Sequence, residues 1–194
     1  MTLLLPGNPV DDFNIQQKFD AIALAWQDNR LQTTLVAAAA TADVVVPSTD
    51  GVALIEFDLE TSAYCELHLF PNNLATAIYS YIHDGSYMAA AAVAVAAVGV
   101  ANDVNGIRLA LPPNAGAAGG TQMTGRATFG LRVPTAADRT CVCQTAVSSL
   151  IGAGGHLIQV QNIASKMASN AAITSLRFAV SAGTMTGRIR VTRG

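Results

Sequence analysis

The sequence predicts an all-β protein, an antiparallel β-sandwich preceded by a short N-terminal α-helix, and three observations carry that reading. From residue 31 onward apolar and polar residues alternate with a period of two, the mark of half-buried strands. Turn residues recur between those runs, at Asp50-Gly51, Asp84-Gly85, Asn105-Gly106 and Gly152 to Gly155. Before residue 31 the apolar spacing is instead that of a helix.

The first ten residues read as an extended docking arm, because Pro6, Gly7 and Pro9 interrupt any regular hydrogen-bond ladder. Asp11 or Asp12 then caps a helix that runs to about Asn29 without Gly or Pro. Within it Ile15, Phe19, Ile22 and Trp26 follow steps of four, three and four and form one narrow apolar seam. A helix of this length is marginal unless its seam is covered. Two covers fit: a bundle of several copies, for which the bulk of Phe19 and Trp26 suits three strands better than two, or the chain's own β domain, onto which Ala21, Leu24 and Ala25 widen the face. The first makes residues 1–30 an oligomerisation arm and helix and residues 31–194 the β-sandwich domain.

In Ala53 to Glu60, Ile55, Phe57 and Leu59 share one face while Glu56, Asp58 and Glu60 share the other. Cys65, Leu67 and Leu69 alternate with Glu66 and His68, which points His68 outward as a solvated residue. Similar runs lie at Ile107 to Leu111 and Ala127 to Val133. Shorter strand signals stand at 35–36, 44–46, 77–82, 140–147, 157–163, 174–180 and 186–192. Met88 to Ala101 mixes helix-favouring Ala with strand-favouring Val93, Val95, Val98 and Val100, and reads as a strand. Eight to ten strands suit a jelly-roll-like double sheet. His83-Asp84-Gly85 reads as a turn, His156 as a loop residue, and Pro112 to Thr121 as an exposed loop. Met123-Thr-Gly-Arg126 recurs as Met185-Thr-Gly-Arg188, either by chance or through a duplicated hairpin.

Composition narrows the function. Only 12% of residues are charged while 51% are apolar, against a usual charged share of about 25%. Abundant Ala explains part of this, and surface covered by copies of the chain explains the rest. A net charge of -2 with scattered Arg offers no phosphate-binding footprint, so no nucleic-acid partner is expected. The apolar run from Met88 to Ala101 is too short to cross a bilayer as a helix, which needs about 20 residues. No basic residue precedes Lys18, so the N-terminus does not read as a signal peptide and folding in a cytoplasm is expected. Cys65, Cys141 and Cys143 form neither a metal set nor a disulfide framework and read as small buried hydrophobes.

A catalytic constellation is not legible. There is no G-x-S-x-G elbow, His68, His83 and His156 lie in three different settings, and the acidic ladder of Glu56, Asp58 and Glu60 reads as solvated surface. No calcium loop or phosphate-binding loop occurs, although Asp11, Asp12 and Asp50 stay open as single ligands. No enzyme activity, metal or cofactor is therefore expected. Arg188 and Arg190 share a predicted strand face, either as a solvated edge or as an intersubunit contact with Glu56 and Asp58 of a neighbour.

The segment Asn170-Ala-Ala-Ile-Thr-Ser-Leu-Arg-Phe-Ala-Val-Ser-Ala-Gly-Thr-Met-Thr-Gly-Arg-Ile-Arg-Val resembles the closing strands of tailed-bacteriophage virion proteins of the tail fibre, tail tip or head fibre type. Phe57-Asp-Leu-Glu-Thr-Ser-Ala-Tyr-Cys-Glu-Leu-His-Leu is similar to a strand, turn and strand of the same modules. The usual last strand there carries an aromatic, whereas this chain ends Val191-Thr-Arg-Gly. The resemblance implies a jelly-roll-like homotrimer in a virion assembled in the host cytoplasm. Its N-terminal arm would dock to other virion proteins and its β head would meet a host-surface glycan or protein. A tail-associated attachment module is the leading expectation, with a head fibre or capsid decoration protein, and a carbohydrate-binding or degrading jelly roll, as alternatives.

Overall fold

A computed structural model describes residues 32–46, 51–76, 78–89, 92–103, 105–111, 117–132, 138–151 and 155–193. The expected N-terminal arm and helix, with Ile15, Phe19, Ile22 and Trp26, lie outside the described residues. Among the described residues there is no helix. Twelve strands follow in order: β1 (Gln32–Ala39), β2 (Thr41–Val45), β3 (Val52–Thr61), β4 (Leu67–Pro71), β5 (Tyr79–Ala89), β6 (Ala92–Asp103), β7 (Ile107–Ala110), β8 (Ala117–Gly130), β9 (Arg139–Ile151), β10 (Gly155–Met167), β11 (Ser175–Val180) and β12 (Met185–Arg193).

They form two antiparallel sheets, a large one ordered β1-β12-β3-β8-β9-β10-β5-β6 and a small one ordered β2-β11-β4-β7. The chain therefore crosses between the sheets at every connection except β5 to β6, β8 to β9 and β9 to β10. The β5-β6 and β9-β10 hairpins break that alternation and extend the large sheet beyond β8. Burial follows the expected alternation: Ile55, Phe57 and Leu59 turn inward from β3 to meet Leu67 and Leu69 of β4, Leu176 and Phe178 of β11, and Phe129 of β8 in one core.

The small sheet is half as wide, so its edge strand β7 ends over the inner face of β9 and β10. Side chains from the large sheet complete that edge. Thr145 Oγ1 donates to the Leu109 carbonyl at 2.6 Å. The fully buried Gln161 accepts from the Leu111 N–H at 3.0 Å and donates to the Leu111 carbonyl. Backbone groups that a further strand would have paired are thus satisfied by two buried polar side chains.

The structure corrects several local expectations. His83-Asp84-Gly85 is no turn: it lies inside β5, with Asp84 between Asn162 of β10 and Ala97 of β6. Strand partners on both sides supply ladder bonds that outweigh the local preference of Asp-Gly for a turn. His156 lies in β10 opposite Leu150 rather than in a loop. Thr121 and the residues from 117 onward, expected in the exposed loop, belong to β8, and Thr121 is fully buried. Among the described residues the strands number twelve rather than eight to ten.

All three cysteines are buried and unbridged, as expected. Burial pushes the Cys65 thiol up, pushes Cys143 up to about 11 against a hydrogen bond to Thr145, and moves Cys141 furthest in the same direction with Cys143 beside it. Such thiols are inert at neutral pH.

Candidate functional site: a charged groove on the outer face of the large sheet

The outer face of β3 carries Glu56 and Asp58, and antiparallel pairing sets an arginine-bearing strand on each side. Arg188 and Arg190 of β12 stand opposite Asp58 and Glu56, and Arg126 of β8 stands opposite Glu56 from the other side. Glu56 Oε1 accepts from Arg126 Nη2 at 2.8 Å, and Glu56 Oε2 accepts from Arg190 Nη1 at 3.4 Å. Thr124 donates to Asp58 Oδ1 at 3.4 Å. The four residues expected to meet across subunits, Arg188, Arg190, Glu56 and Asp58, thus come together within one chain.

A shallow groove of about 570 Å3 runs across these strands, from Arg188 and Arg190 over Asp58 and Thr124 to Gln144 and Ala146 of β9. Five of its ten lining residues are charged, in a chain where 12% are, so charge is concentrated here. Glu56 is shared by two guanidinium groups, each of which has five N–H donors, so most donors stay free to meet acceptors from outside. Arg126 is mostly solvent-accessible, with its side chain 75% exposed. Guanidinium donors in such an arrangement are chemically suited to carboxylate, hydroxyl or carbonyl oxygens.

The recurring Met-Thr-Gly-Arg segment explains how the groove is built. Its two copies flank β3, one in β8 and one in β12, in the same inside-outside phase. Met123 and Met185 are fully buried, Thr124 and Thr186 face out, and Arg126 and Arg188 reach the groove. The glycines have separate steric duties. A Cβ on Gly125 would lie 2.4 Å from Phe57 Cζ, and one on Gly187, where φ is +140°, would lie 2.2 Å from the Asp58 carbonyl oxygen. Arg126 is the groove residue that pairing arguments from the sequence missed, and the repeated segment was the signal that could have found it.

Beside the groove the same face turns apolar. Leu54 of β3, Val142 of β9 and Ile82 of β5 lie in one cross-strand row and are 39%, 55% and 65% exposed. Ile158 and Val160 of β10 are exposed as well, on the other side of the row that carries Gln144, Asn162 and Asp84. Together these make five exposed apolar residues on this face. Four of these five residues sit on the added hairpins.

A second ionic cluster lies on the outer face of the small sheet and corrects the expectation for His68. His68 does leave the core in the expected phase, yet it is only 6% exposed. Its Nε2 lies 2.7 Å from Glu66 Oε2, and Phe70 packs edge-on against the ring. Arg108 Nη1 donates to Glu66 Oε1 at 2.8 Å while its guanidinium lies 4.5 Å from the centre of the Tyr81 ring. Further along, Arg177 grips Asp43 through two parallel bonds of 2.7 and 2.9 Å, and that hydrogen bonding holds the Asp43 carboxyl below its usual range. Among the described residues no group of three or more His, Cys, Asp or Glu is placed to hold a metal ion.

No protein-family model, curated protein or solved structure matches this chain.

Proposed function

We propose that the chain is a structural virion protein of a tailed phage, a trimeric, non-enzymatic attachment module associated with the tail. Its jelly-roll head would meet the host surface, and residues 1–30 would join copies and dock to the particle. The observation that carries this reading is the strand order. With the two added hairpins set aside, β1-β12-β3-β8 faces β2-β11-β4-β7, and successive strands pass between the sheets except β4 to β7, which pair in the small one, as in the double Greek key of a jelly roll. That architecture recurs in viral coat proteins and in lectins, and a fold alone does not select a function. The likeness of residues 57–69 and 170–191 to phage virion proteins favours the first. The charged groove favours a binding role for the head. A head fibre or decoration protein has the same build and differs in its place on the particle.

Protein mass spectrometry of purified particles of the phage encoding the chain tests the proposal. The chain should be present in a multiple of three copies per particle and should separate with the tail when heads and tails are parted. Its absence from washed particles overturns the reading.

A further inference from the structure

The ends of the two sheets differ in how they are protected. Strand edges present unpaired N–H and C=O groups, and proteins shield them with charge, Pro, bulges, short length or a covering element. Edge strand β2 has five residues, and β7 has four and is capped by Thr145 and Gln161. β1 is bulged between Val36 and Ala39, with Ala38 at a φ of +49°. β6 is different: it is twelve residues long, is hydrogen-bonded to β5 alone among the described residues, and carries neither charge nor Pro from Ala92 to Asn102. It closes the extension formed by the added hairpins, the same region that bears the exposed Ile82, Val142, Ile158 and Val160.

The sequence of β6 complements itself. In an antiparallel pairing with Ala96 on the two-fold axis, Val95 stands opposite Ala97 of the second copy, Val98 opposite Ala94, Val93 opposite Gly99 and Val100 opposite Ala92. In that register every valine position stands opposite Ala or Gly, and no position sets two like charges against each other.

We infer that β6 is a docking edge for β6 of a second copy of this chain, which joins two large sheets into one continuous sheet about a two-fold axis. This contact goes beyond the proposed function and does not depend on it, since it uses neither residues 1–30 nor the groove. A threefold contact through residues 1–30 and a two-fold contact through β6 close as six copies with dihedral symmetry when the two axes meet at right angles.

Light-scattering mass measurements on the full-length wild-type chain and on Ala96→Lys and Ala96→Glu test the inference. The wild type should hold an even number of copies. Each variant sets two like charges against each other on the axis, so its mass should fall twofold, and an equimolar mixture of the two should restore the wild-type mass through Lys-Glu pairs. An odd number of copies in the wild type, an unchanged mass in Ala96→Lys, or halved masses that mixing does not restore would each overturn it. Loss of the threefold contact alone leaves a two-copy species, so failure of the proposed function is distinguishable from failure of the β6 pairing.

Discussion

Gln161 bonds both the N–H and the carbonyl of Leu111, so one side-chain amide does for the residue after β7 what a neighbouring strand would have done. Both partners are buried, and removing the amide strands two backbone groups away from water. Gln161→Leu should therefore destabilise the fold by about 2–6 kcal/mol, the sum of two unmet buried groups. Urea denaturation of the variant beside the wild type measures this, and a loss below about 1 kcal/mol would mean that water or a shifted backbone replaces the amide.

Gly125 gives a steric test of the floor beneath the groove. Its missing side chain leaves room for the Phe57 ring, so Gly125→Ala should cost about 1–3 kcal/mol through overpacking. Combining it with Phe57→Leu, which withdraws the ring, should cost less than the two single changes added together. A double-mutant cycle by thermal unfolding reads the coupling, and simple additivity would contradict the contact.

The groove ion pairs should contribute little to stability despite their good geometry. Arg126 and Arg190 are 75% and 45% exposed in their side chains, and exposed pairs of this kind are worth about 0–1 kcal/mol. Glu56→Gln should change the unfolding free energy by less than about 1 kcal/mol, and the difference should shrink further in 1 M salt. A larger loss would make the cluster a fold-stabilising element rather than a contact surface.

Buried thiols predict an alkaline limit. The Cys143 thiol is held up to about 11 by burial, with Cys141 moved in the same direction, whereas in the unfolded chain both ionise near the ordinary value of 9.0. Above that value the unfolded chain has released protons that the folded chain keeps, so the stabilising effect of Cys143 is complete below about pH 9 and is lost as pH rises through about 11, and that of Cys141 is lost at higher pH still. Cys143 alone accounts for about 2–3 kcal/mol of that change. Urea midpoints at pH 7, 9 and 10.5 should fall along the series, and Cys143→Ala should make the fall shallower. An equally steep fall in the variant would assign the effect elsewhere.

The strands were legible in the sequence because period-two alternation is a local property that burial on one face imposes on each strand. Ile55, Phe57 and Leu59 show it most plainly, and all three are buried. Turn chemistry was legible where no partner competes: Gly51 and Gly106 both take the positive φ that turns need. At Asp84-Gly85 the same signal failed, because β10 and β6 pair with β5 on both sides and that pairing is not written locally. His68 failed for a related reason, since its cover comes from Glu66 and Phe70 within the small sheet's outer layer. Strand order is non-local in the same sense. The intrachain meeting of Glu56 with Arg126 and Arg190 spans 70 and 134 residues and could not be read from alternation.

The central claim is that this chain works as an assembled module. Mass measurement of the purified full-length chain, repeated after removal of residues 1–30, tests it most directly. The account predicts a full-length assembly containing a multiple of three copies, which loses its threefold character when those residues are removed. A stable full-length monomer would contradict it.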